Sequence, residues 1–86
     1  MAYRVRIEKR ASKALEKTDV VIRKRIVEVI RSLADNPRPR GIKKMKNREG
    51  WRVRIGDYRV IYGIDDERSL VSVAKIGHRR EVYRED

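Results

Sequence analysis

The stretch Trp51-Arg52-Val53-Arg54-Ile55-Gly56-Asp57-Tyr58-Arg59-Val60-Ile61-Tyr62 decides the fold. Apolar residues alternate with arginines on both sides of Gly56-Asp57, and this two-residue connection contains a glycine able to take positive φ. The pattern predicts a tight hairpin between strands over 51–55 and 58–64. The turn then sets the register. With Ile55 opposite Tyr58, Val53 falls opposite Val60 and Trp51 opposite Tyr62, a row of aromatic and aliphatic pairs that reads as the core face. Trp51, Tyr58 and Tyr62 are therefore core aromatics, packed beneath whatever covers the sheet. Side chains alternate across a strand, so the opposite face carries Arg54 against Arg59 and Arg52 against Ile61. Like charges placed directly opposite one another destabilise a sheet by about as much as favourable pairs stabilise it, roughly 0.2–1 kcal/mol. A carboxylate from Glu49, Asp57 or Glu81 between the two guanidinium groups is one compensation. A phosphate bridging the two planar forks is the other.

Outward from the hairpin, Leu70 to Ile76 is an apolar, β-branched segment that reads as a third, central strand after the polar loop 65–69. Toward the N-terminus, Tyr3, Val5 and Ile7 alternate with Arg4 and Arg6, which predicts a strand over 2–7. Ala11, Ala14 and Leu15 lie at helical spacing over 9–17. Val21, Ile22, Ile26, Val29, Ile30 and Leu33 continue that spacing on a longer helix, capped by Thr18 or Asp19 and stopped at Asn36-Pro37. Between this helical hairpin and the β-hairpin runs a connection, 35–50, with Pro37, Pro39, Gly41 and six Lys or Arg against two acids. Structureless connections longer than about 12–15 residues are uncommon in compact domains and are often functional, so this basic loop is a candidate contact surface. A solvated loop is the plainer alternative. The expected fold is α+β: an N-terminal strand, a helical hairpin, then a mainly antiparallel three-stranded meander, all forming one sheet.

The 86 residues suffice for a single domain over 1–86, and 24 Lys plus Arg against 13 Asp plus Glu leave a formal charge of +11. Such an excess repels itself in a small folded body and points to a polyanionic partner, nucleic acid foremost. Without cysteine there is no disulfide, thiolate metal site or cysteine nucleophile, which agrees with a reducing compartment. With His78 as the single histidine, a zinc site would have to rely almost wholly on carboxylates, so neither metal nor cofactor is expected. No apolar run approaches a membrane span and residues 1–10 alternate charge, so a soluble, cytoplasmic protein is expected. After Gly77 the chain closes with His78, Arg79, Arg80, Glu81, Val82 and Tyr83, residues that can reach the arginine face.

Several of these stretches together resemble the RelE/ParE superfamily of toxins from toxin–antitoxin pairs. They are Asn36-Pro37-Arg38, Lys44-Met45-Lys46, Trp51-Arg52-Val53-Arg54, Gly56-Asp57-Tyr58-Arg59-Val60-Ile61-Tyr62 and Gly77-His78-Arg79-Arg80-Glu81-Val82-Tyr83. The resemblance spans nearly the whole chain and implies a RelE-like toxin domain that cleaves mRNA in the ribosomal A site. It also implies a RelB-like antitoxin partner encoded nearby, whose acidic amphipathic segment covers the basic surface. The RelE branch uses basic residues on the second strand, counting the N-terminal strand as the first, an arginine opening the third, a distal arginine and a terminal tyrosine. These match Arg52 and Arg54, Arg59, Arg79 (with Arg80 as the alternative) and Tyr83. The implied catalytic set is Arg54, Arg59, Arg79 and Tyr83. Arg52, Lys43, Lys44, Lys46, Arg48, His78 and Arg80 would contact mRNA or rRNA. Where well-studied members carry lysines on the second strand, this chain has arginines, which do not release a proton in proteins and so suit charge stabilisation rather than base catalysis.

Metal-free RNA cleavage proceeds when a 2′-hydroxyl attacks the adjacent phosphorus in line, leaving a 2′,3′-cyclic phosphate and a 5′-hydroxyl. Arginine forks match the phosphoryl oxygens on which charge grows. A tyrosine with its ordinary pKa near 10 serves as a base only where neighbouring cations stabilise the phenolate. Histidine, with an ordinary pKa near 6.5, is the side-chain type that titrates closest to neutrality, which makes His78 a candidate, although the family pattern does not place proton transfer there. Two other readings stay open: a ParE-like toxin that inhibits DNA gyrase without cutting RNA, and a basic domain that only binds nucleic acid.

Overall fold

The computed structural model describes residues 2–46 and 49–78. In chain order the elements are β1 (Arg4–Ile7), α1 (Lys9–Glu16), α2 (Val20–Ser32), β2 (Lys43–Lys44), β3 (Trp51–Ile55), β4 (Tyr58–Asp65) and β5 (Leu70–His78). The strands form one five-stranded sheet in the order β1-β5-β4-β3-β2, with β1 parallel to β5 and the other neighbours antiparallel. The expected α+β architecture is therefore present, with β5 interior to the sheet, next to β1.

The β-hairpin has the register its turn demands: Trp51 opposite Tyr62, Val53 opposite Val60, Arg54 opposite Arg59 and Ile55 opposite Tyr58. Gly56 takes φ +59 while Asp57 stays on the negative side, the pattern of a II′ turn, whose first central position favours glycine. The helices form for the reasons their spacing gives. Asp19 caps α2 by accepting a hydrogen bond from the Val21 amide at 3.1 Å, while the Thr18 hydroxyl donates backward to the Ala14 carbonyl at 2.9 Å. Both helices cover one face of the sheet. Ala11, Ile26, Ile30 and Leu33 pack against Val53, Ile55, Val60, Tyr62, Val71, Val73 and Ile76. Each fully buried aliphatic side chain there contributes about 1.5–3 kcal/mol relative to exposure.

Two features depart from the sequence reading. The connection over 35–50 is not wholly loop, because Lys43 and Lys44 pair with Arg52 and Trp51 as a short edge strand. The Met45 amide then donates to the Gly50 carbonyl at 3.0 Å, folding the segment back on itself. Gly50 at φ +130 permits this return, and a Cβ there would lie 3.2 Å from the Tyr62 carbonyl oxygen. A two-residue lysine strand leaves no periodic signal, and its charge suits an edge that must not recruit further strands. The second departure is a β-bulge. Ile61 pairs with Lys75 but Tyr62 pairs with Val73, so Ala74 is the extra residue on β5 and the in–out alternation changes phase there. Val71 and Val73 face the helices before the bulge, and Ile76 and His78 face them after it.

Candidate functional site

On the sheet face away from the helices, strand alternation brings Lys43, Arg52, Arg54 and Arg59 to one end. Together with Gly41 they line a cavity of about 180 Å³, and no carboxylate is among the described residues lining it. Arg54 is exposed at the rim, whereas Arg59 is only 1% exposed and forms the floor. Beside them Met45 packs with Ile61 in a small second apolar cluster. Charge in such a partly enclosed, low-dielectric site acts more strongly on an anion than the same charge in open water. The arrangement can hold a phosphate between planar guanidinium forks and one ammonium group.

Of the sequence-derived residues, Lys43, Arg52, Arg54 and Arg59 come together here. Lys44 projects to the other side of the edge strand, beside Trp51, and lines a separate trough. Lys46 lies past the end of β2, exposed and not among the cavity-lining residues. His78 is not on the arginine face. The bulge turns it toward the helices, where it meets Tyr58 edge-on with ring centroids 5.6 Å apart and planes at 78°. Arg48, Arg79, Arg80, Glu81 and Tyr83 lie outside the described residues. Glu49 borders the neighbouring trough rather than the cavity. Among the described residues no three His, Cys, Asp or Glu side chains gather to hold a metal ion, and no helix is long and apolar enough to cross a membrane.

One network was not anticipated. Asp66, in the β4–β5 turn, accepts hydrogen bonds from the Tyr3 hydroxyl at 2.6 Å and from both terminal nitrogens of Arg38 at 3.2 and 2.9 Å. The Arg38 and Tyr3 hydrogen bonds hold the Asp66 carboxyl below its ordinary value, and acceptance by Asp66 raises the Tyr3 phenol. Arg38 also lies over the Trp51 ring, 5.9 Å from its centroid. Next to it, the buried Tyr62 hydroxyl donates to the Pro37 carbonyl at 2.8 Å, and burial pushes its pKa up to about 12. Asn36 Oδ1 accepts from the Arg38 amide at 3.1 Å, closing the turn that starts the basic segment. The network thus ties the start of that segment to the first strand, the β4–β5 turn and the hairpin, upstream of Lys43. The signal for it in the sequence was Asn36-Pro37-Arg38, but the hydrogen-bonding partners Tyr62 and Asp66 are 25 and 28 residues distant.

Fold and cavity define a small α+β protein with a cationic cavity on one sheet face. Its residues 5–83 match the family of ParE toxins of type II toxin–antitoxin systems. The toxin RelG of Mycobacterium tuberculosis is 34% identical over 88 residues, covering 98% of this chain and 99% of that one. Among solved structures, the toxin–antitoxin complex RelBE2 of M. tuberculosis superposes with a TM-score of 0.80 at 32% identity over 92% of this chain and 93% of that one. The archaeal RelE–RelB complex of Pyrococcus horikoshii gives 0.79 at 30% identity, covering 92% and 97%. The chain belongs to the RelE/ParE superfamily of type II toxins.

Proposed function

We propose that this toxin is a ribosome-dependent, metal-free endoribonuclease that cuts mRNA in the A site by 2′-hydroxyl attack. The observation carrying this reading is the convergence of Lys43, Arg52, Arg54 and Arg59 on one cavity with no described carboxylate in its lining. In the proposed step the 2′-oxygen forms a bond to phosphorus, the bond to the 5′-oxygen breaks, and the 2′-hydroxyl proton is released while the leaving oxygen gains one. Arg54 and Arg59 stabilise the charge that builds on the non-bridging oxygens, and Arg52 with Lys43 orients the flanking backbone. Arg79 and Tyr83 complete the set that the family resemblance assigns, Tyr83 at the 2′-hydroxyl. The structural relatives named above are toxin–antitoxin complexes. By analogy a RelB-like antitoxin covers this basic face until it is degraded.

Primer extension on mRNA from translating ribosomes tests the proposal. The wild-type chain produces discrete A-site cuts, and Arg54→Ala, an exposed change, lowers the cleavage rate by about 100-fold, the usual cost of one transition-state donor. Equal cutting by Arg54→Ala rejects the assigned site. The matching family model is described as ParE, which keeps a second reading: inhibition of DNA gyrase in a supercoiling assay with no RNA cut would replace the nuclease.

A further inference from the structure

The arginine cavity is assembled from two pieces of chain that are held in different ways. Arg52, Arg54 and Arg59 stand on β3 and β4, whose ladder runs through five paired positions. Gly41 and Lys43, the other lining residues, come from the segment before β3, where the ladder supplies only the pairs Lys43–Arg52 and Lys44–Trp51. Gly41 sits in a turn at φ +89, and a Cβ built on it would meet nothing within 4 Å, so bare backbone forms this wall. The direction of the segment is set upstream. Pro37 and Pro39 fix φ on either side of Arg38, and the Tyr62 hydroxyl holds the Pro37 carbonyl. The Arg38 fork then grips both oxygens of Asp66. These two side chains are 46% and 56% exposed. An ion pair so open to water adds little to folding stability, whereas two parallel hydrogen bonds from a planar fork fix orientation closely. The pair is suited to aiming the chain more than to holding the fold together. Only the four residues 39–42 separate it from Lys43, and Ile42 among them packs against the core.

We propose that Arg38 and Asp66 are positioning residues for the arginine cavity: their pair aims the 39–43 segment so that Gly41 and Lys43 close one wall around a phosphate of single-stranded RNA. Neither residue lines the cavity itself. The inference rests on the cavity holding RNA backbone, as proposed above, and not on cleavage. It carries a sign that general electrostatics does not. Asp66→Asn makes a basic chain more positive, and long-range attraction alone would then tighten RNA binding. Loss of aim weakens it instead, because Lys43 no longer stands where the phosphate is held.

Fluorescence anisotropy tests this with a short labelled single-stranded RNA, 2′-O-methylated throughout so that it cannot be cut, across a salt series. Asp66→Asn and Arg38→Gln are each expected to weaken binding about 5-fold or more. The log–log salt slope keeps its wild-type value in both, since no phosphate contact is lost. A slope flatter by about 0.7 in Arg38→Gln would make Arg38 itself a phosphate contact and overturn the proposal. In a Lys43→Ala background the effect of Asp66→Asn shrinks, because the group being aimed is gone. Equal effects in both backgrounds assign Asp66 to general stability and overturn the proposal. Undiminished binding by Asp66→Asn, with Arg54→Ala weakened, overturns this inference and leaves the cavity reading intact. Undiminished binding by Arg54→Ala removes the cavity reading and this inference with it. Coupled losses at Asp66 and Lys43, while no form of the chain cuts mRNA, leave the inference standing and remove the nuclease.

Discussion

At the scale of single residues, burial decides what each polar group does. The Tyr62 side chain is wholly enclosed, and its hydroxyl satisfies a Pro37 carbonyl that would otherwise lose its partner. Removing that hydroxyl leaves the acceptor buried, which typically costs about 1–3 kcal/mol. Tyr62→Phe is therefore expected to lower the urea-unfolding free energy by that amount at pH 7. The pH dependence has a definite sign. Because burial raises the Tyr62 phenol from 10.0 to about 12, the folded state holds the proton more tightly, and the stability this contributes is complete below pH 10 and lost between pH 10 and 12. The gap between wild type and Tyr62→Phe should accordingly narrow over that interval when unfolding is followed by tryptophan fluorescence. A gap that widens there would contradict the burial of the phenol. Arg59 shows the other side of the same rule: its charged head sits under the arginine face, 1% exposed, where the sequence pattern could tell only which face it occupied.

At the scale of elements, legibility tracked whether the chain carries a periodic pattern long enough to read. The β3–β4 register could be read because Gly56-Asp57 and two alternating runs specify it within twelve residues, and with it came the facing pair Arg54 and Arg59. The β1–β5 parallel pairing depends on partners far along the chain, while the β2 strand and the Ala74 bulge have nearer partners but consist of two lysines and one extra residue, too little to leave a periodic pattern. The bulge alone moved His78 from the expected face to the other. The Arg38–Asp66–Tyr3 network belongs to this scale, since it fastens the connection that carries Lys43 toward the cavity. Asp66 has its carboxyl lowered by Arg38 first and Tyr3 second, so its contribution is present above the ordinary value of 3.8 and disappears as pH falls through the lowered one. Asp66→Ala should thus unfold at lower urea than wild type at pH 7, with the two midpoints converging as the solution is acidified below 3.8. Midpoints that stay apart at the acid end would show that Asp66 acts through packing rather than charge.

At the scale of the whole molecule, 24 cations and 13 acids share a body with a radius of gyration of 12.0 Å. Its dimensions, 32 × 28 × 25 Å, are two to three Debye lengths across at about 0.1 M salt, so exposed charges on opposite faces are largely screened from each other and the repulsion is mainly between neighbours. Generic screening should raise Tm with any salt, whereas a built anion site discriminates between salts at equal ionic strength. About 1 kcal/mol of preferential binding to the folded state shifts Tm by about 4–8 °C in a domain of this size. Sulfate stabilises most proteins by exclusion from their surface, so the informative quantity is the sulfate-minus-chloride difference in Tm compared between variants. Wild type should exceed Arg52→Ala/Arg54→Ala in that difference by about 4 °C or more, because the double variant keeps the fold and loses two forks of the cavity. If both forms respond alike to the two salts, the charge is a diffuse solubilising coat, and the arginine cavity is not organised to hold a phosphate.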